Sequence, residues 1–262
     1  MNRVLTLGRS LVLWLALPIV LLVVWWFDSA GSSSFYYPPL RTIVSALHRE
    51  WLGHRIVDDV IPSLVRLLVG YLVAVAVGVA LGVLVGLRRR VRLAAEPVLE
   101  FFRAVPPPVV VPVLLLVVGI GSTTKVVIIA SGCIWPILLN TVQGVRGVDP
   151  VLTETARCYG LDGWARLRTL VLPAASPQIM AGARQGLSIA IILMVISEMM
   201  ASTGGIGFTV VKFQRNFAMP EMWSGILVLG LIGIVLAMVY RLVERRLLAW
   251  YVGMRRLERG EG

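Results

Sequence analysis

Few residues in this chain combine types and spacing that could do chemistry, and each candidate fails a physical test. Gly119-Ile120-Gly121-Ser122-Thr123-Thr124-Lys125 suggests a phosphate-cradling loop, but that loop needs a glycine directly before its lysine, and Thr124 stands there. Any ATP hydrolysis must therefore come from another chain. His48 and His54 lie beside Glu50, Asp58 and Asp59, a set that could ligate a metal. Two histidines at that spacing do not share a helix face well, so they read as solvated side chains and no metal site is assigned. Cys133 and Cys158 have no C-x-x-C neighbour, so neither a zinc site nor a disulfide framework is implied. Neither H-E-x-x-H nor Gly-x-Ser-x-Gly occurs, and no histidine falls in an apolar run, so an intramembrane enzyme has no constellation to work with. One acid remains: Glu198, near the end of an apolar run, either lines a permeation path or faces water at the headgroup level.

The elements that would hold these residues are those of a bilayer protein. Hydrophobic residues make up 58% of the 262, and several apolar runs are long enough to span. The net charge of +11 would in a soluble protein raise nucleic-acid binding. Here the arginines gather in short loops between apolar runs, as membrane orientation requires, and no nucleic-acid module is present. The fold class read from this pattern is all-α integral membrane, with about six transmembrane helices.

The first run, Leu11 to Phe27, follows Arg3 and Arg9 like a signal peptide, but Asp28-Ser29-Ala30 puts an acid where cleavage wants a small residue. It reads as a retained span anchored by Trp25 and Trp26. In the polar connector that follows, Leu40, Ile43, Val44, Leu47 and Trp51 form the apolar face of a short helix. The second span, about Ile61 to Leu87, carries Gly70, Ala74, Gly78, Gly82 and Gly86, a small residue at every fourth position. Such a row lets two backbones approach and reads as a helix-packing seam with a right-handed crossing. Arg66, one turn inside, is expected to snorkel outward. Leu93 to Arg103 reads as a short amphipathic helix. The third span, about Val105 to Ile120, opens on Pro106-Pro107-Pro108, and the fourth, about Val126 to Val142, kinks near Pro136. Pro177 starts a fifth span ending near Met200, Ser202 to Phe208 is a flexible glycine-rich loop, and a sixth runs from about Met222 to Tyr240. The chain divides into 1–59, first span and outer connector; 60–250, the core; and 251–262, a basic tail.

Between the fourth and fifth spans lies a polar, basic stretch, Asp149 to Pro173, within a loop at 146–176. Asp149 can cap a helix with Pro150 at its first position, and Gly160 supplies a left-handed stop. Asp162 can cap a second helix, which Pro173 prevents from continuing far. Basic residues on alternate sides of six spans place both termini and this helix pair in the cytoplasm.

The spacing within that stretch resembles a known family. Glu154-Thr155-Ala156, three residues, Gly160, nine residues, then Leu170-Val171-Leu172-Pro173 is similar to the EAA loop of permease subunits of bacterial ABC importers. Thr155 replaces the second alanine of that pattern and Leu170 its isoleucine. Arg103-Ala104-Val105-Pro106-Pro107, Gly119-Ile120-Gly121, Gly147-Val148-Asp149-Pro150, and Glu198 with Gly204-Gly205-Ile206-Gly207 resemble the nitrate/sulfonate/taurine branch, and within it an aliphatic-sulfonate permease.

The resemblance implies a type I importer permease in a bacterial cytoplasmic (inner) membrane, multi-pass, with an EAA coupling helix pair. It implies a homodimer with a second copy of itself, docked on two cytoplasmic ATP-binding subunits and served by an extracytoplasmic substrate-binding protein. ATP and Mg then belong to the partner ATPase, and this chain binds no cofactor and is no enzyme. Glu154, Thr155, Ala156, Gly160, Leu170, Leu172 and Pro173 would form the ATPase-coupling surface. The alternative, a secondary transporter or channel, should show ionisable residues near mid-membrane and internal repeats, and neither is evident.

Overall fold

The structure, a computed structural model, describes residues 16–17, 19–200 and 202–258, and its elements are helical. In chain order they are α1 (Ile19–Ala30), α2 (Leu40–Trp51), α3 (Ile61–Leu87), α4 (Arg89–Ala104), α5 (Pro107–Val118) and α6 (Ser122–Arg146). There follow α7 (Pro150–Cys158), α8 (Gly163–Arg166), α9 (Leu172–Met200), α10 (Ile206–Arg215), α11 (Met219–Leu247) and α12 (Ala249–Glu258). Two π-turns, Ile56–Val60 and Leu167–Val171, join α3 and α9 to what precedes them without a break.

Helix α6 is the centre, with α3 on one side and α9 on the other. The row Gly70, Ala74, Gly78, Gly82 and Gly86 lies along α6. A Cβ placed on Gly70 would stand 2.9 Å from Ile129, one on Gly82 2.5 Å from Thr141, and one on Gly86 2.8 Å from Val145. Those partners recur at multiples of four on α6, so two rows of equal period meet along the seam. On the other side Gly182 comes so close that its Cβ would lie 2.8 Å from the Pro136 carbonyl. The Tyr71 hydroxyl donates to the Ala183 carbonyl at 2.9 Å and closes the three-helix core, whose fully buried members include Leu67, Ile129, Ile137 and Leu193.

Among the described residues four helical segments are long and apolar enough to cross a bilayer: Ile56–Leu87, Ser122–Arg146, Gly163–Met200 and Met219–Leu247. Of the expected first span, residues 19–27 fall in α1, a shorter apolar helix of 12 residues; residues 11–15, the arginines before them and the end of the basic tail lie outside the described residues. The third expected span is different in kind. α5 has 12 residues, about 18 Å at helical rise, against ~30 Å of hydrocarbon. It meets α4 at a bend of 97°, where Val105 and Pro106 are extended and the prolines start a fresh helix. Phe102 of α4 stacks on Trp135 of α6 at 4.4 Å and holds the elbow against the core.

The end of the bundle opposite α7 carries a lobe of α2, α10 and the start of α11. Trp51, Ile206, Val210 and Phe213 fill it, and the Trp51 indole donates to Ser224 at 3.0 Å. The α2 face is shifted from the expected one: Ala46 is buried, while Val44 is exposed.

Candidate functional site

Helix α7 is fixed at both ends by local chemistry. The Asp149 carboxylate accepts from the Val151 amide at 2.8 Å, with Pro150 next to it. At the other end Gly160 has φ +67, the Leu161 amide bonds the Ala156 carbonyl at 2.9 Å, and the Gly160 amide bonds the Arg157 carbonyl at 3.0 Å. These are the two bonds of a Schellman stop, so Ala156 and Gly160 belong to one motif. Ala156 faces inward, whereas Glu154 and Thr155 are exposed and Thr155 bonds back to the Val151 carbonyl at 2.8 Å. Glu154, Arg157 and Arg166 border a cleft of about 380 Å³ between α7 and the ends of α3 and α6. Val151, Leu152, Tyr159 and Trp164 stand out from the pair, Tyr159 at 79% exposure.

The second half departs from expectation. Asp162 holds the cap position but makes no capping bond, and Gly163 turns left-handed beside it at φ +51. Pro173 does not stop the helix. The π-turn before it bonds the Leu172 amide to the Leu167 carbonyl, so the ring falls in a change of register where its missing donor costs little. Pro177 likewise starts nothing, for the Pro173 carbonyl it would leave bare accepts from the Ser176 hydroxyl at 2.8 Å. Gly163–Met200 is one helical run of 38 residues, about 57 Å long. Leu170, Leu172 and Pro173 are half-buried in it, and Val171, missed by sequence reasoning, is the anchor that packs with Ala175 on Val145.

At the far end of that run Glu198 is 0% exposed. It does not face water at the headgroup level. Its carboxylate accepts from the Ser63 hydroxyl at 2.6 Å, Arg66 at 2.8 Å and the Gly207 amide at 3.0 Å. Arg66 therefore turns inward, because a buried carboxylate offers it a better partner than the headgroups. Asp59 accepts from the Gly205 amide at 2.9 Å and the Thr209 hydroxyl at 3.0 Å, and Ser63 accepts from the Ile206 amide at 3.2 Å. The first amides of α10 are thus capped by side chains of α9, of α3 and of the π-turn leading into it.

The glycine-rich segment is consequently a fixed helix start, not a flexible loop. Gly205 has φ +112, and a Cβ there would lie 2.4 Å from the Glu198 carboxyl carbon. Lys125, at the end of the rejected phosphate-loop stretch, is buried and donates to Ser202. Sequence reasoning missed this knot, although Asp59, Ser63 and Arg66 stand at i, i+4 and i+7, one polar stripe at the start of an apolar helix.

Fold and sites define a multi-span membrane protein in which a capped helix pair at one end is continuous with a span knotted to its neighbours at the other. The profile described as binding-protein-dependent transport system inner membrane component matches residues 74–249, and the chain belongs to that family. An aliphatic sulfonates transport permease protein of Bacillus subtilis, SsuC, is 33% identical over 62% of this chain and 59% of its own length. An ABC transporter permease protein of Methanocaldococcus jannaschii is 32% identical over 81% of this chain and 82% of its own. Among solved structures, a chain of the MetNI methionine ABC transporter in an inward-facing conformation superposes with a TM-score of 0.64 at 19% identity. That match covers 76% of this chain and 98% of the other, a likeness of fold.

Proposed function

We propose that this chain is the permease subunit of an ATP-driven, binding-protein-dependent importer and forms the translocation path for a small solute. It sits multi-pass in the bacterial inner membrane with both termini and α7 on the cytoplasmic side, as the arginine distribution favours. A second copy, two ATP-binding subunits and an extracytoplasmic binding protein complete the assembly. ATP and Mg reside on the ATP-binding subunits, in keeping with the absent phosphate loop. The carrying observation is the mechanical continuity of the coupling pair with the span. α7 is capped at both ends, and the 38-residue run from Gly163 to Met200 passes directly from the pair to the Glu198 knot. ATP binding can do work on the spans only by favouring one arrangement over another, and a rigid rod from docking surface to far knot carries that preference. Glu154 with Arg157, and the exposed Val151, Leu152, Tyr159 and Trp164, are the surface offered to the ATP-binding subunit. SsuC carries aliphatic sulfonates in its name, and a small sulfonate-like or nitrate-like anion, or a vitamin precursor, is the cargo class proposed here.

Gly160→Val tests the reading. A Cβ at Gly160 would meet no atom within 4 Å, so the cost is confined to the left-handed backbone, about 1–2 kcal/mol. The variant should insert and fold, yet lose co-purifying ATP-binding subunit or lose solute-stimulated ATP hydrolysis in proteoliposomes. Wild-type co-purification together with wild-type transport would remove the coupling assignment.

A further inference from the structure

Helices α7 and α10 end in the same hydrogen-bond motif with different residues at its left-handed position. In α10 the Ala218 amide bonds the Phe213 carbonyl at 2.9 Å and the Phe217 amide bonds the Gln214 carbonyl at 3.1 Å, so Phe217 stands where α7 has Gly160. Phe217 has φ +56 and is the non-glycine residue with positive φ among the described residues. A bulky side chain is strained there, and glycine would not be. Among the described residues the ring gains little burial in return for that strain, for Phe217 is 65% exposed. Its ring lies 6.3 Å from Phe35, itself exposed and 5.3 Å from exposed Tyr36. The Trp223 indole donates to the Tyr36 carbonyl at 3.0 Å, which fixes this trio to α11. Lys212 and Arg215 flank it, both exposed and without an acidic partner among the described residues.

Lipid is a poor account of the patch. Trp223, edge-to-face with Trp25 at 5.9 Å and a turn inside α11, has the residue type and the place near a span's end that suit an interfacial anchor. Phe217 precedes α11 altogether, among the exposed polar side chains Gln214, Arg215 and Asn216, on the water side of that anchor. Strain retained at an exposed aromatic, in a rigid frame with cations beside it, is the mark of a docking knob for a protein. We propose that Phe217, with Phe35 and Tyr36, inserts into an apolar pocket of the extracytoplasmic binding protein, whose acidic rim meets Lys212 and Arg215. This rests on the importer reading, which places the lobe on the outer side.

The test uses the assembled transporter in lipid nanodiscs, titrated with its cognate binding protein by biolayer interferometry. Phe217→Gly should melt at the wild-type temperature or above it, keep its ATP-binding subunits, and bind the binding protein roughly tenfold more weakly. Lys212→Glu combined with Arg215→Glu should slow association and reduce its salt dependence. In Phe217→Trp, binding should persist and the added indole emission should shift to the blue when the binding protein is added. Wild-type affinity in Phe217→Gly overturns the proposal, as does lost affinity accompanied by a lowered melting temperature. Quenching of the Phe217→Trp emission by dibrominated phosphatidylcholine, without response to the binding protein, assigns the ring to lipid and also overturns it. A wild-type complex that retains ATP-binding subunits but fails in Phe217→Gly alone supports the knob. A wild-type chain that binds neither partner overturns the importer reading itself and the knob with it.

Discussion

Glu198 concentrates the residue-scale physics. A carboxylate shut away from water is tolerated only when its lone pairs are filled, and here one cation, one hydroxyl and one helix-start amide fill them. Glu198→Ala leaves Arg66 without its partner and the Gly207 amide without an acceptor, and should cost about 3–5 kcal/mol. Glu198→Gln supplies one acceptor and one donor where two acceptors are required, so its loss should be smaller, about 1–3 kcal/mol. Melting in detergent micelles ranks the two; equal melting of both variants and wild type would contradict the buried arrangement. A transport defect in Glu198→Gln at intact stability would point to a direct role in the path.

At the scale of elements, the seam between α3 and α6 sets how the bundle closes. In lipid the helices gain nothing from hiding apolar surface, so the close approach allowed by glycine is what holds them. Gly82→Ala drives a methyl to 2.5 Å from the Thr141 Cβ and 2.9 Å from the Leu138 carbonyl, and backbone must shift to accept it. A loss of about 1–3 kcal/mol is predicted, read as a lowered melting temperature. Gly230 on α11 has nothing within 4 Å, so Gly230→Ala is the control and should be neutral or slightly stabilising. Identical melting of the two variants would dissociate the seam from stability. The α4–α5 elbow belongs to this scale too: prolines foretold a break, but only the packing of Phe102 on Trp135 fixed its direction.

At the scale of the whole molecule the proposed sidedness is testable, and the two cysteines offer a probe. Cys158 at the end of α7 is exposed and Cys133 is buried in the core. A membrane-impermeant maleimide should label Cys158 from the cytoplasmic face only, in inside-out vesicles stripped of ATP-binding subunits. Restored subunits should slow that labelling. Asn216→Cys, beside the Phe217 knob, should label from the opposite face. Labelling of Cys158 in intact cells would reverse the proposed orientation.

What the sequence determined by itself was whatever short-range rules govern. The Asp149 cap, the left-handed Gly160, the small-residue row and the apolar runs each depend on residues a few positions apart, and each could be read in order along the chain. The same rules misplaced Pro173 and Pro177, because a π-turn and the Ser176 hydroxyl absorb the lost donors locally. Only the tertiary structure decided which distant polar groups meet. Arg66 and Glu198 are 132 residues apart, Ser63 and the Ile206 amide 143, and the Gly205 amide and Asp59 146. No local propensity specifies such pairs. They are fixed by the depth at which α3, α9 and α10 converge, where an unpaired charge or amide in a low-dielectric interior costs far more than it would in water.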